Sequence, residues 1–317
     1  MGEFYSIVIP VYNTSESLRE LTARIKNVFS SVIKKDFEII FVDDASLNPD
    51  TWKTLNELTS SEPNVISIRL TQNFGQQAAT LCGINIARGN LIITMDDDLQ
   101  HQPEDIPLLL KEQHHDIVIA CFKKKKHSLF KVITSNIKGW FDEKLIKKPK
   151  HIRLSSFRLI NNVVAQGILQ IKTVNPFIPA LMFNISRDVV NVEATHQKRK
   201  EGKTGYSLIK MMMVFSNLII NNSSLLLKIS GLIGIFISLI SFCFAIFIIV
   251  KKLFFGIPIV GWASVMVSSL FIGGTILFSM GIIGEYLVRI IKNIENRPTY
   301  FIRTKIGGNI NEKPPVY

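Results

Sequence analysis

Two long uncharged segments in the last third of the chain constrain its fold most strongly. Residues 229–250 and 253–284 contain no Asp, Glu, Lys or Arg, and two lysines separate them. A helix needs about 20 apolar residues to cross the hydrocarbon core of a bilayer. The two segments therefore predict a transmembrane hairpin over 229–291, with helices at about 229–250 and 262–284.

Basic residues on both sides of this hairpin predict its orientation. Lysine and arginine are frequent in 198–228 and in 289–305, whereas the loop between the two predicted helices holds only two lysines. The positive-inside rule then places both termini in the cytoplasm. The first ten residues predict no signal peptide. We expect a multi-pass protein of a bacterial inner membrane, with its catalytic domain and both termini cytoplasmic.

The segments next to the hairpin are expected to be smaller units. Residues 206–228 are apolar but interrupted by lysine and asparagine, which predicts amphipathic helices lying at the membrane interface. An ordinary docking helix of the preceding domain is the alternative. Residues 292–317 are predicted to form a cytoplasmic C-terminal tail.

Strand-like and helical segments alternate through residues 1–205. Apolar runs with strand composition lie at 6–11, 37–42, 65–70, 91–95 and 116–120, and helical stretches lie at 15–31, 49–60, 75–87 and 103–112. Continuous apolar strands are typical of a parallel sheet that is buried on both faces. We therefore predict a doubly wound α/β domain with a mostly parallel sheet, in which ligands bind beyond the carboxyl ends of the strands.

Polar residues follow three of these predicted strands. The third cluster is a run of three aspartates, Asp96 to Asp98, directly after an apolar strand. A single aspartate in such a place is most often a helix cap. Three adjacent carboxylates, however, repel one another unless a cation is present. Asp96 and Asp98 could share one cation, and hard oxygen ligands of this kind suit Mg²⁺ or Mn²⁺.

Composition and absent motifs exclude several classes of protein. The chain carries 37 Lys+Arg against 25 Asp+Glu, a net charge of +12. A nucleic-acid binder would be expected to arrange this charge as a stripe with aromatic platforms, but the basic runs lie at 123–131, at 144–150 and beside the hairpin. The glycine patterns of dinucleotide-binding and P-loop proteins are absent. His114 and His115 are interpreted as a surface pair. His101 is interpreted as a solvated loop residue, with a position near the substrate as the alternative.

Four segments together resemble a known family. SIVIPVYNTSE (6–16), VDDAS (42–46), NFG (73–75) and MDDDLQHQPEDIP (95–107) are similar to glycosyltransferase family two, which has the GT-A fold. Within it the chain resembles the polyprenyl-phosphate glycosyltransferases. The resemblance implies a metal-dependent, inverting hexosyltransferase (EC 2.4) that moves a sugar from a nucleoside-diphosphate sugar to a polyprenyl phosphate, in a bacterium undecaprenyl phosphate. The products would serve cell-envelope glycans such as lipopolysaccharide or O-antigen, and relatives often form homo-tetramers.

The resemblance also implies roles for individual residues. The catalytic set would be Asp96, Asp98, Ser156 and Arg158. The metal ligands would be Asp96, Asp98 and Gln100, with Mg²⁺ or Mn²⁺ as the ion. The residues around the donor nucleotide would be Pro10, Tyr12, Glu16, Asp43, Asp44, Asn73 and Asp97. The residues that hold the acceptor phosphate and the diphosphate would be Lys123, Lys131, Ser135, Arg199, Lys203 and Tyr206.

Two departures from the family pattern bear on the chemistry. Ser156 stands where many relatives have an aspartate that has been proposed as a general base. A phosphate monoester has a second pKa near 6 and is largely dianionic at pH 7, so it needs no base to become a nucleophile. Gln72 replaces an arginine that is common before Asn-Phe-Gly, which puts one diphosphate contact in doubt.

Other functions stay open from the sequence. A family-two transferase could instead add a sugar to a glycan or to a lipid-diphosphate acceptor. A membrane-anchored homologue could bind a nucleotide sugar without catalysis, although the intact acidic run argues against this. Processive polysaccharide synthases carry a Gln-x-x-Arg-Trp motif, which this chain lacks.

Overall fold

The computed structural model describes residues 3–122, 148–173, 175–195, 261–294 and 298–308, with single positions between 236 and 254. The strands are β1 (Tyr5–Val11), β2 (Phe37–Asp43), β3 (Val65–Leu70), β4 (Leu91–Thr94), β5 (Ile117–Phe122), β6 (Arg158–Asn161), β7 (Val189–Ala194) and β8 (Ile302–Ile306). The α-helices are α1 (Glu16–Asn27), α2 (Pro49–Ser61), α3 (Gln76–Ile86), α4 (Ile106–Lys111), α5 (Asn162–Gln170), α6 (Ile178–Ile185) and α7 (Trp262–Ile294). A π-helix (Val28–Ile33) extends α1, and a 3-10 turn (Pro103–Asp105) precedes α4.

The described strands form one sheet in the order β7-β5-β6-β4-β1-β2-β3-β8. Strands β1 to β4 are mutually parallel, and β5 pairs in parallel with β7. Strand β6 runs antiparallel to both β4 and β5, and β8 runs antiparallel to β3. The domain is therefore α/β as predicted, but three strands that the sequence patterns did not reveal complete its sheet. Two of them, β6 and β8, are antiparallel to their neighbours, so the sheet is mixed.

The strands at the centre of the sheet are buried along almost their whole length because helices cover both faces. Every residue of β1 is buried, as are six of the seven in β2. Helix α1 buries Leu18, Leu21 and Ile25, which are spaced to lie on one face of the helix. Helix α2 begins at Pro49, and the side chain of Asn48 caps it by accepting the Asp50 N–H at 3.0 Å. This packing fixes the strand ends and the loops that follow them.

The chain divides into two compact units, 1–205 with 296–317, and 206–295. In the second unit α7 begins at Trp262, covers the second predicted helix of the hairpin and continues to Ile294. Among the described residues, no helix combines the length and the mean hydropathy that a membrane span requires. The predicted interface segment 206–228 lies outside the described residues, and only single positions of 229–250 are described.

Strand β8 returns the C-terminal segment to the sheet of the first unit. It pairs with β3, with a register shift between Arg69 and Leu70. Just before β8, the carbonyl of Phe301 accepts the N–H of Thr71 at 2.9 Å, and the Phe301 ring lies 6.2 Å from that of Phe74. The segment predicted as a tail therefore supplies a strand and supports the loop after β3.

Candidate active site

Three loops at the carboxyl edge of the parallel strands share an unusual backbone feature. Asn13 after β1, Ala45 after β2 and Leu99 after β4 have φ angles of 58°, 54° and 60°. Left-handed backbone costs a residue other than glycine about 1–2 kcal/mol. Such strain is concentrated at functional sites, where the surrounding structure enforces it. All three residues lie at the sheet edge where the sequence places the site.

Asp43 and Asp44 shape the loop after β2. The Asp43 side chain is fully buried, accepts the Ser46 N–H at 2.9 Å and lies 3.3 Å from Arg69 Nε. Asp44 uses both carboxylate oxygens on backbone groups, accepting the N–H of Phe74 at 2.7 Å and of Gly75 at 2.8 Å. Burial raises the pKa of Asp44, and these two hydrogen bonds oppose the rise. This pair therefore ties the loop after β2 to the loop after β3.

Asn13 connects the loops after β1 and β2. Its N–H donates to Ser46 Oγ at 2.8 Å, and its side-chain oxygen accepts the N–H of Leu47 at 2.8 Å and of Asn48 at 3.1 Å. Asparagine tolerates left-handed backbone better than most residues. Its conformation and its three hydrogen bonds thus hold this corner of the site together.

Asp96, directly after β4, is bonded by flexible side chains rather than by backbone groups. Gln76 Nε2 donates to its Oδ1 at 2.6 Å, and Ser156 Oγ donates to its Oδ2 at 2.7 Å. The Asp96 side chain is 26% exposed. Side-chain donors can rotate away when a ligand arrives, so both carboxylate oxygens can become available.

The other two aspartates of the acidic run differ in environment. Burial, with the negative charges of Asp96 and Asp98, raises the pKa of Asp97 to about 7, against hydrogen bonds from the Thr14 hydroxyl and the Tyr12 N–H. Asp98 Oδ1 accepts the Gln100 N–H at 3.1 Å. The acidic run therefore carries an unfavourable concentration of negative charge that a cation would relieve.

Arg158 lies behind Asp96 in a buried position. It is 3% exposed, and its Nε donates to Thr94 Oγ1 at 3.1 Å. Burial lowers its pKa to about 10, while the negative charge of Asp96 opposes that change. The guanidinium thus places a buried positive charge near the carboxylate of Asp96.

His101 is not the solvated loop residue that the sequence suggested. It is 5% exposed, and its ring stacks on Phe122 and Phe157 with centroids 5.6 Å and 5.3 Å away. Its Nδ1 accepts the N–H of Asp96 at 3.0 Å. The interpretation failed because position 122 and position 157 are far from 101 in sequence, and the antiparallel strand β6 that brings Phe157 close was not predicted.

The remaining predicted donor residues differ in how far they are buried. Pro10 is buried within β1, whereas Tyr12, Glu16 and Asn73 are exposed beside the loops, and Gln100 is half-buried in the acidic loop. The predicted acceptor residues lie outside the described residues; they are Lys123, Lys131, Ser135, Arg199, Lys203 and Tyr206. Gln76 was missed, although its position directly after Asn-Phe-Gly was the available signal.

The chemistry of this loop fits a divalent cation. Asp96 and Asp98 are carboxylates, and Gln100 adds an amide oxygen, which are the hard donors that Mg²⁺ and Mn²⁺ prefer. Burial is the main cause of the raised pKa of Asp97, and the negative charges of Asp96 and Asp98 add to it. The residues present therefore fit the predicted metal site.

A second group of possible ligands lies elsewhere. Glu112, His114 and His115 have side-chain atoms within 4.8 Å of one another, and His115 Nδ1 is 2.5 Å from Asp188 Oδ1. These residues precede β5 and β7, at the amino edge of the sheet and opposite the acidic loop. Contacts of the two histidines with the carboxylates of Glu112 and Asp188 explain this group, as the sequence predicted for a surface pair.

An acidic loop at the carboxyl edge of a mixed α/β sheet is the architecture of glycosyltransferases with the GT-A fold. The solved structure of glucosyl-3-phosphoglycerate synthase from Mycobacterium tuberculosis with uridine diphosphate shares this fold. It superposes with a TM-score of 0.50 at 13% identity, covering 68% of this chain and 79% of that one.

The chain belongs to glycosyl transferase family 2, whose model matches residues 6–166. Among curated proteins it is 31% identical over 311 residues to the undecaprenyl-phosphate 4-deoxy-4-formamido-L-arabinose transferase of Photorhabdus laumondii, covering 96% of this chain and 94% of that protein. The protein of the same name from Proteus mirabilis is 33% identical over 314 residues, covering 95% and 94%. The protein is thus a glycosyltransferase, and its similarity to these relatives extends far beyond the matched domain.

Proposed function

We propose that this enzyme transfers a sugar from a nucleoside-diphosphate sugar to undecaprenyl phosphate, with release of the nucleoside diphosphate. The observation that supports it most is the combination of the acidic loop with near-complete alignment to relatives named as undecaprenyl-phosphate sugar transferases. We further propose that the enzyme acts at a bacterial inner membrane, through the predicted hairpin and interface helices, and assembles as a homo-oligomer.

The proposed donor site lies between the loops after β1, β2, β3 and β4. The hydrogen bonds of Asp44 to Phe74 and Gly75 fix the loop that carries Asn73, and Asn13 fixes the loop that follows Asp43. The nucleoside would bind along these preformed loops. Its diphosphate would then lie beside Asp96 and Asp98, where a cation can join it to the carboxylates.

A divalent cation bound there would act as a Lewis acid and neutralise the charge of the leaving diphosphate. Asp96, Asp98 and Gln100 would hold it, after Gln76 and Ser156 release the oxygens of Asp96. Arg158 would act as a positioning residue, because its buried positive charge is close enough to Asp96 to attract the carboxylate.

The chain needs no general base for this reaction. Ser156 donates a hydrogen bond to Asp96, and a neutral hydroxyl of this kind does not act as a general base. A dianionic phosphate monoester is already a nucleophile at pH 7. The acceptor oxygen would attack the anomeric carbon from the face opposite the leaving diphosphate, which inverts the configuration. The resemblance to polyprenyl-phosphate glycosyltransferases supports the proposed acceptor residues, which are Lys123, Lys131, Ser135, Arg199, Lys203 and Tyr206.

A direct assay tests the proposal. Membranes containing the full chain are incubated with undecaprenyl phosphate, Mg²⁺ or Mn²⁺, and a panel of nucleoside-diphosphate sugars that includes one bearing 4-deoxy-4-formamido-L-arabinose. Mass spectrometry of the extracted lipid identifies any undecaprenyl-phosphate sugar and therefore the donor. Lipid from membranes without the protein, and undecaprenyl diphosphate as an alternative acceptor, are the controls.

The alternative functions give different results in that assay. Product from undecaprenyl diphosphate but not from the monophosphate would contradict the proposed acceptor. Binding of a nucleotide sugar without product from any donor would favour a non-catalytic homologue.

A further inference from the structure

The strongest unexplained feature of the site is the histidine behind the acidic loop. His101 Nδ1 accepts the N–H of Asp96 at 3.0 Å, while the same nitrogen is 3.7 Å from Asp96 Oδ2. A proton on Nδ1 would point at the hydrogen of the Asp96 N–H, so the shorter contact requires a lone pair on this nitrogen.

The surroundings of the ring hold it in this orientation. Phe122 and Phe157 stack on it with interplanar angles of 6° and 23°. Phe157 follows Ser156, whose hydroxyl bonds to Asp96 Oδ2 at 2.7 Å. The same short segment of chain thus packs against the histidine and bonds to the carboxylate that the histidine supports.

The hydrogen bond also closes the acidic loop. Between Asp96 and His101 the chain passes through the left-handed Leu99, and the carbonyl of Leu99 accepts Gln102 Nε2 at 2.9 Å. Asp98 Oδ1 bonds to the Gln100 N–H within this loop. The bond from the Asp96 N–H to His101 joins the first residue of the loop to the last, so the segment with all three predicted ligands is a closed turn.

We propose that His101 is a positioning residue for the cation site, whose ring nitrogen fixes the peptide N–H of Asp96 by accepting its hydrogen bond. A fixed peptide at Asp96 fixes the direction in which its Cα–Cβ bond projects, and hence the placement of its carboxylate relative to Asp98. The inference rests on the proposed function, since it takes Asp96 and Asp98 as the cation ligands.

Substitutions of His101 separate this role from simple packing. Asparagine places an acceptor oxygen close to the position of Nδ1, whereas glutamine places its oxygen near the position of Nε2. Leucine fills much of the space between the two phenylalanines but has no acceptor. If only packing matters, leucine should serve at least as well as asparagine.

The experiment measures Mn²⁺ binding to the purified full chain by the electron paramagnetic resonance signal of free Mn²⁺, without donor or acceptor. The measurement compares wild type with His101→Asn, His101→Gln, His101→Leu and Asp98→Ala. Thermal unfolding in EDTA checks the fold of each protein. Removing an outer contact of a metal ligand typically weakens metal binding about 10- to 100-fold. We expect that loss for His101→Leu and His101→Gln, and a change within about threefold for His101→Asn.

The outcomes separate this inference from the proposed metal site. If Asp98→Ala abolishes Mn²⁺ binding while His101→Leu binds as wild type does, the role of His101 is wrong and the metal site stands. Equal weakening by asparagine and glutamine would also overturn the inference, and this comparison holds even if the leucine variant does not fold. If Asp98→Ala binds Mn²⁺ like wild type, the metal site itself is wrong, and the inference fails with it.

Discussion

Aspartates at the same edge of the sheet are held in opposite ways, Asp43 and Asp44 by backbone groups and Asp96 by side chains. Asp43 and Asp44 after β2 are buried, and the hydrogen bonds to their carboxylates come from backbone N–H groups. Asp96 after β4 is partly exposed, and it is bonded by the side chains of Gln76 and Ser156. Backbone donors cannot leave without unfolding the loop, whereas side-chain donors can rotate. Asp43 and Asp44 therefore build the site, whereas the carboxylate of Asp96 is available to a ligand.

The largest effect is expected from Asp98→Asn. The amide keeps an acceptor for the Gln100 N–H but removes the charge that a cation needs. Loss of several kcal/mol of Lewis-acid stabilisation corresponds to about a thousandfold decrease in transfer rate. The free energy of unfolding in EDTA should change by less than about 0.5 kcal/mol. Lipid product and thermal unfolding are measured together, with the exposed Asp36→Asn as control. Full activity in Asp98→Asn would mean that the carboxylate of Asp98 does not hold the cation.

Asp44→Ala should instead act mainly on the free energy of unfolding. It leaves the N–H groups of Phe74 and Gly75 without their carboxylate partner, and hydrogen bonds to charged groups contribute about 1.5–3 kcal/mol each. We expect a loss of about 3 kcal/mol in the free energy of unfolding, measured by denaturant titration. Asp44→Asn, which keeps one acceptor oxygen, should fall between alanine and wild type. A wild-type unfolding curve for Asp44→Ala would show that the backbone hydrogen bonds of Asp44 do not give it a structural role that Asp96 lacks.

The sequence could predict this edge of the sheet because parallel strands place their carboxyl ends together. An apolar strand precedes each of the aspartates Asp43, Asp44, Asp96 and Asp98. Their position at one edge therefore follows from the parallel direction of those strands. The sequence could not predict in the same way that backbone groups bond to Asp44 and side chains to Asp96. It depends on Phe74 and Ser156, which long-range packing brings to the site.

The same reasoning explains what else was missed. Strands β6 and β8 are short, and each joins the sheet in an antiparallel direction after a long excursion of the chain. Local patterns carry no information on such pairings, so the sheet was predicted as mostly parallel and the C-terminal segment as a tail. The burial of His101 was missed for the same reason.

A smaller effect is expected from Phe301→Ala, which tests whether the loop after β3 needs support from both sides. Asp44 holds this loop from one side, and the ring of Phe301 contacts Phe74 on the other. An aromatic pair contributes about 0.5–1.5 kcal/mol, so binding of a nucleoside diphosphate should weaken about fivefold. Isothermal titration measures this, with Phe301→Tyr as the control that keeps the ring. Unchanged affinity in Phe301→Ala would assign loop support to Asp44 alone.

The smallest effect is expected from Glu104→Gln, outside the acidic loop. Arg24 pairs with Glu104 and also donates to Gln102, which bonds to the carbonyl of Leu99. The hydrogen bond from Arg24 lowers the pKa of Glu104 below its ordinary 4.5. Its contribution to stability is therefore present above about pH 4.5 and lost as the pH falls through the lowered value.

The pair is half-exposed, so solvent screening limits the expected loss to about 0.5 kcal/mol at pH 7. Denaturant titrations should show the difference between Glu104→Gln and wild type shrinking as the pH is lowered below 4.5. Glu57→Gln, which breaks the exposed pair with Arg19, is the matched control. Mn²⁺ binding should stay within about twofold of wild type in both variants, because the Asp96 N–H is fixed from inside the loop by His101. A clear loss of Mn²⁺ binding in Glu104→Gln alone would mean that the loop also depends on its outer surface.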